Sequence, residues 1–184
     1  MTNVTRIRRP ALRLVRGGRG EIPLGPLLVT LAPPDVPIAA IVLEEDTWLV
    51  LSANPEVKPP VEGMVRIMTD LLKAEPKVPG SVVVESGEPL RMLAIVYDLA
   101  AEPICRPEWV GEALQEVLAV AEEKGLAALA LPLLGVRHGR LPVARFAELL
   151  AEAVRKRPPR RLRRVWLMAT EQDRRELRRQ LEAV

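Results

Sequence analysis

The chain has 184 residues, 48% hydrophobic but only 3% aromatic, with a formal net charge of +3. That length supports one domain with a core of Leu, Val, Ala and Ile and no need of staples. One cysteine, Cys105, and one histidine, His138, exclude an intrachain disulfide and a zinc site of the usual ligand types within one chain. No apolar run approaches a membrane span, and the N-terminal stretch has arginines scattered where a signal peptide needs an apolar segment. The expectation is a cytoplasmic protein with no metal, no cofactor and no membrane contact.

Residues 1–26 form a basic, less regular lead-in, and the stretch RGGRGEIPLGP at 16–26 reads as a loop or extended approach. Apolar, β-branched runs then predict strands near 27–31, 38–43, 47–52 and 81–85, with a helix from Pro60 to about Lys73 between the last two. Continuous apolar residues in RMLAIVYDL predict a buried strand over 91–99. A helix follows over 107–125, with Pro107 in its first turn, apolar residues at helical spacing and Gly125 just past its end. A second buried strand covers 126–134. A helix runs from Pro142 to about Arg157 and is stopped by Pro158 and Pro159. RRVWLMA at 163–169 is a third strand, and Thr170 with Asp173 resembles a capping box that opens the last helix.

Alternating strands and helices imply parallel strands joined by right-handed crossovers. The expected fold is an α/β, three-layer α/β/α sandwich on a mixed, mostly parallel sheet of six or seven strands. With no repeat and no long linker, residues 1–184 form a single domain.

Charge is distributed unevenly. Residues 1–20 hold six arginines and no acid, and 155–184 hold eleven basic against four acidic residues. The body between them holds ten basic and twenty acidic residues. The densest run, VRKRPPRRLRRV at 154–165, fits an RNA footprint through Arg155 to Arg164 if its side chains share a face. A solvated, stabilising surface of a thermostable protein accounts for it as well and is the reading the arginine and proline content favours.

The string LPLLGVRHGRLP at 131–142 places two glycines and the histidine between a strand and a helix. Ligands of open parallel sheets bind beyond the carboxyl ends of the strands. Gly135 and Gly139 would permit N–H groups to turn inward, and Arg137 and His138 would supply further donors to a phosphate. A purely geometric tight turn explains the same glycines.

The order of elements and three strings resemble the macro domain, a module that holds ADP-ribose in many proteins. LVLSANPEVKPPVEGMVRI at 49–67 resembles the family's strand–loop–helix segment with its Asn-Ala-Ala-Asn run. VPGSVVVESGEPLRMLAIVYDL at 78–99 resembles its hairpin strand and the strand after it. GEALQEVLAVAEEKGLAALALPLLGVRHGRLPVARFAELLAEAV at 111–154 resembles its helix, strand, phosphate loop and helix. The resemblance covers roughly 47–184.

It implies a nucleotide or phosphate ligand held by Gly135, Val136, Arg137, His138 and Gly139, with Asp98 and Thr170 at neighbouring strand ends. Asn54 would meet a ribose hydroxyl. In a hydrolytic member, Asn54 and Glu62 would position a water against an ADP-ribosyl or phosphoester bond. The sequence departs from the family pattern at 55–61, which has no glycine and includes Pro59 and Pro60. It departs again at Val136 and Arg137, where Thr and Gly are expected. For the family's adenine-contacting Gly-Asp-Ile run, the candidates are Glu45–Asp46 or Arg19 to Ile22. The alternative is a macro-like domain without a pocket, acting through its basic termini as an RNA-binding module or as a homo-oligomer. Loop 55–61 discriminates: prolines that fill the cleft favour the second reading.

Overall fold

The computed structural model of the protein describes residues 20–31, 34, 36–51 and 75–183. The predicted helix over Pro60–Lys73, loop 55–61 with Pro59 and Pro60, and Asn54 and Glu62 lie outside the described residues.

Seven strands form one sheet: β1 (Glu21–Leu24), β2 (Leu27–Thr30), β3 (Ala40–Asp46), β4 (Val82–Glu85), β5 (Leu90–Tyr97), β6 (Ala128–Pro132) and β7 (Arg164–Met168). Their order is β1-β2-β7-β6-β3-β5-β4. The two outer pairings, β1–β2 and β4–β5, are antiparallel, and the pairings between them are parallel. The sheet is thus mixed and mostly parallel, as expected.

Three helices are described, α1 (Pro107–Glu123), α2 (Val143–Lys156) and α3 (Glu171–Glu182). The crossovers β5–α1–β6 and β6–α2–β7 run in the same direction along the sheet, so right-handedness puts α1 and α2 on one face. There α1 packs on α2 and α2 on α3. The apolar stripe of α1, with Val110, Leu114, Val117 and Ala121, meets Phe146 and Leu150 of α2 in the core. Along β5 every residue from Met92 to Tyr97 is buried. Successive side chains point to opposite faces, so this strand is covered on both sides, the pattern of a central parallel strand.

Two sequence expectations are corrected. The lead-in at 16–26 reads as a loop or extended approach to strands that begin at 27; Glu21–Leu24 instead forms a regular strand, β1, paired with β2 across a two-residue connection in which Gly25 takes φ +56°. As an edge strand it tolerates Pro23. The strand expected over 47–52 is absent from its described part: residues 47–51 form a turn. The cause is Asp46. Its carboxylate accepts the N–H groups of Trp48 (2.7 Å), Val50 (2.9 Å) and Leu51 (3.1 Å), which withdraws them from any ladder. Trp48 is consequently half exposed, at 51%. The strand near 38–43 forms later than expected and runs to Asp46.

Register places the carboxyl ends of the parallel strands along one edge. Asp46 lies beside Tyr97, and Pro132 beside Met168. No helix among the described residues is long and apolar enough to cross a membrane.

Candidate functional site

The connection from β6 to α2 lies at this edge. Leu134 N–H donates to the Pro132 carbonyl, Val136 N–H to that of Leu133 and Leu141 N–H to that of Gly135, each at 3.0 Å. Gly135 adopts φ +78°, which favours glycine. Gly139 is required for a different reason. A Cβ there would lie 2.5 Å from Cys105 Cβ, 2.7 Å from its Sγ and 2.7 Å from the Gly135 carbonyl oxygen. Cys105 is therefore the floor against which the loop closes. Burial first, and then the negative charge of Glu44, push its thiol up to about 11, so it is a protonated packing group.

Glu44, near the end of β3, reaches the same loop. Its Oε1 accepts Gly135 N–H at 2.6 Å and the Tyr97 hydroxyl at 2.8 Å. Burial, followed by the Glu44 carboxylate, drives the phenol far above its ordinary range and keeps it a donor. The Tyr97 and His138 rings meet edge to face, with centroids 6.1 Å apart.

A cleft of about 680 Å³ opens between this loop and the start of α3. Leu133, Val136 and Arg137 line it from the loop, and Met168, Thr170 and Asp173 from the β7–α3 side. Glu44 and Pro132 line it as well. Thr170 caps α3: its hydroxyl donates to Asp173 Oδ2 at 2.6 Å and accepts Asp173 N–H at 3.2 Å, the arrangement expected from sequence.

Of the expected ligand residues, the structure brings Val136, Arg137 and Thr170 to the cleft. Gly135 supplies an N–H that Glu44 already occupies. Gly139 packs away on Cys105, and His138 leans on Tyr97. Asp98 is not among the described residues that line the cleft. Its Oδ1 instead accepts Ala100 N–H at 3.0 Å and stabilises the turn after β5. Glu45 and Asp46, candidates for adenine recognition, are fully buried and hold the 47–51 turn: Glu45 Oε1 accepts Leu51 N–H at 2.7 Å. Ile22 and Glu21 lie in β1.

Sequence reasoning missed Glu44, Tyr97 and Asp173 as site residues. The signal for the first was the run LEED, three carboxylates closing an apolar strand. Among the described residues there is no group of three His, Cys, Asp or Glu able to hold a metal ion.

No protein-family model matches the chain, and no curated protein matches it. Solved structures do. The Oceanobacillus iheyensis macrodomain with ADP is 13% identical and superposes with a TM-score of 0.64, covering 89% of this chain and 94% of that one. A mutant of that macrodomain with ADPR gives 12% and 0.63, covering 89% and 96%. The Trypanosoma brucei macrodomain in complex with ADP gives 11% and 0.58, covering 83% and 68%. The chain has the macrodomain fold.

Proposed function

We propose that the protein is a binding module for a nucleotide of the ADP-ribose class, held in the cleft between the β6–α2 loop and the start of α3. The observation that carries this reading is the position of the cleft. A concavity of about 680 Å³ lies beyond the carboxyl ends of β3, β6 and β7, the edge at which open parallel sheets bind ligands. It does so in a fold whose neighbours above carry ADP and ADPR. Leu133, Val136 and Met168 offer apolar surface to a base, and Thr170 and Asp173 offer polar groups to a sugar. The hydrolytic extension of this reading assigns the attacking water to Asn54 and Glu62.

Calorimetric titration of ADP-ribose and adenosine into the purified protein tests the reading. Saturable binding that is lost in Met168→Asp is expected. No heat from a folded sample with either ligand overturns it. Turnover of an ADP-ribosylated substrate that disappears in Glu62→Gln would extend it to catalysis.

A second reading rests on a separate surface. Arg155, Lys156, Arg157, Arg160, Arg161 and Arg163 are all exposed. They lie between the end of α2 and the start of β7, at the opposite edge of the sheet from the cleft. RNA binding through this run predicts an affinity that falls steeply with salt and is reduced by charge reversal there, with nucleotide binding untouched.

A further inference from the structure

The hydrogen bonds of the β6–α2 loop show what fills its centre. Leu134, Val136 and Leu141 donate to carbonyls of the same segment. Gly135 N–H is directed at Glu44, a residue of the cleft wall, whose carboxylate meets it at 2.6 Å. A carboxylate oxygen accepting a backbone N–H at that distance uses the same charge-assisted chemistry as a phosphate oxygen.

The placement of Glu44 is built in. It stands on the central strand β3, immediately before the bulge at Glu45 and Asp46. Its Oε1 is held from a second side by Tyr97, which is 1% exposed. Asp173 is a second carboxylate on the cleft wall, and Arg137 brings one positive charge. A phosphate approaching Gly135 N–H would have to displace Glu44 or share a donor with it at close range.

We infer that Glu44 is a specificity-determining residue: a built-in anion that occupies the loop's anion position, so that the cleft selects the uncharged nucleoside part of its ligand and draws no affinity from phosphate. The nucleoside half of this inference rests on the cleft reading above. The exclusion of phosphate at Gly135 stands on the Glu44 geometry alone.

The test compares adenosine with ADP by calorimetry and follows the Gly135 amide by NMR during titration with inorganic phosphate. For the wild-type protein the two dissociation constants are expected within about threefold, and phosphate leaves the Gly135 amide unmoved. In Glu44→Ala the ratio shifts at least about tenfold toward ADP, and the Gly135 amide titrates with phosphate. Glu44→Gln removes the charge but keeps an acceptor for both bonds, so it gains less in the same direction. It also serves if the alanine variant does not fold.

The inference is overturned if wild-type protein prefers ADP by tenfold or more, or if neither variant gains on phosphate. If neither nucleoside nor nucleotide binds any of the proteins, the cleft reading fails. The Gly135 amide titration in Glu44→Ala still decides whether Glu44 blocks phosphate.

Discussion

Gly139 offers the sharpest check on how the loop is built. An added Cβ would sit 2.5 Å from Cys105 Cβ and 2.7 Å from both Cys105 Sγ and the Gly135 carbonyl oxygen. Ordinary carbon contacts begin near 3.5 Å, so the chain must move by roughly an ångström. The neighbours cannot yield cheaply. Cys105 is buried, and the Gly135 carbonyl holds the Leu141 N–H. Overpacking of this kind costs about 2–3 kcal/mol, or a fall in Tm of roughly 5–10 °C for a chain of this size. Gly139→Ala should show that loss in urea and thermal unfolding followed by circular dichroism.

The second arm of the cycle is Cys105→Gly, which removes the Cβ and Sγ that cause the clash. Alone it loses a small buried side chain and adds backbone freedom, and costs about 1–2 kcal/mol. Combined with Gly139→Ala it should recover most of the first loss, giving a coupling of about 1–2 kcal/mol. Strict additivity of the two substitutions would refute the claim that Cys105 is the floor of the loop. So would a Gly139→Ala protein as stable as wild type.

Further outcomes follow at Tyr97, Cys105 and Asp46. Tyr97→Phe removes the donor to Glu44, and should cost about 1–3 kcal/mol in chemical denaturation. Cys105, with its thiol raised to about 11, should resist alkylation at pH 8 in the native protein and react on unfolding. Because the folded thiol keeps its proton longer than an unfolded one, stability should also decline from about pH 9 upward, and Cys105→Ala should flatten that decline. Asp46 behaves in the opposite sense. Burial raises its pKa, but the N–H groups of Trp48 and Val50, the Glu45 side chain and the Leu51 N–H outweigh that and hold it below its ordinary value. Its contribution is present above the ordinary aspartate range and is lost as pH falls through it. Asp46→Asn should therefore reduce the acid sensitivity of unfolding.

The second half of the chain was legible because each element carries its own stop and start. Pro107 opens α1, the capping box of Thr170 and Asp173 opens α3, and the apolar runs between them match buried strands. The first half misled where local composition and tertiary context disagree. EIPL looks like poor strand material, with a proline between glycine-rich stretches, yet hairpin pairing with Leu27–Thr30 makes it an edge strand. TWLVLS looks like good strand material, yet one carboxylate captures its amides.

The site divides in the same way. Val136, Arg137 and Thr170 belong to segments whose position follows from the strand–helix order, so sequence could place them. Glu44 meets Gly135 across 91 residues and Tyr97 across 53, and nothing local announces such a partnership.

The LEED run ties these points together. Three consecutive carboxylates at the end of a central parallel strand are costly unless each finds donors. Here the bulge between Glu45 and Asp46 breaks the alternation, so the three side chains serve two directions. Glu45 and Asp46 turn to the amides of 46–51 and fold the chain back on itself. Glu44 turns to the neighbouring loop and takes the Gly135 amide. The edge of the sheet that ordinarily meets a ligand's charge is thus satisfied from within along β3. What stays open is the side bounded by Leu133, Val136 and Met168, an apolar wall with the Thr170 helix cap and Arg137 beside it. That division, with anion acceptors supplied by the chain and apolar surface left to the ligand, is why the phosphate increment rather than the total affinity is the quantity to measure.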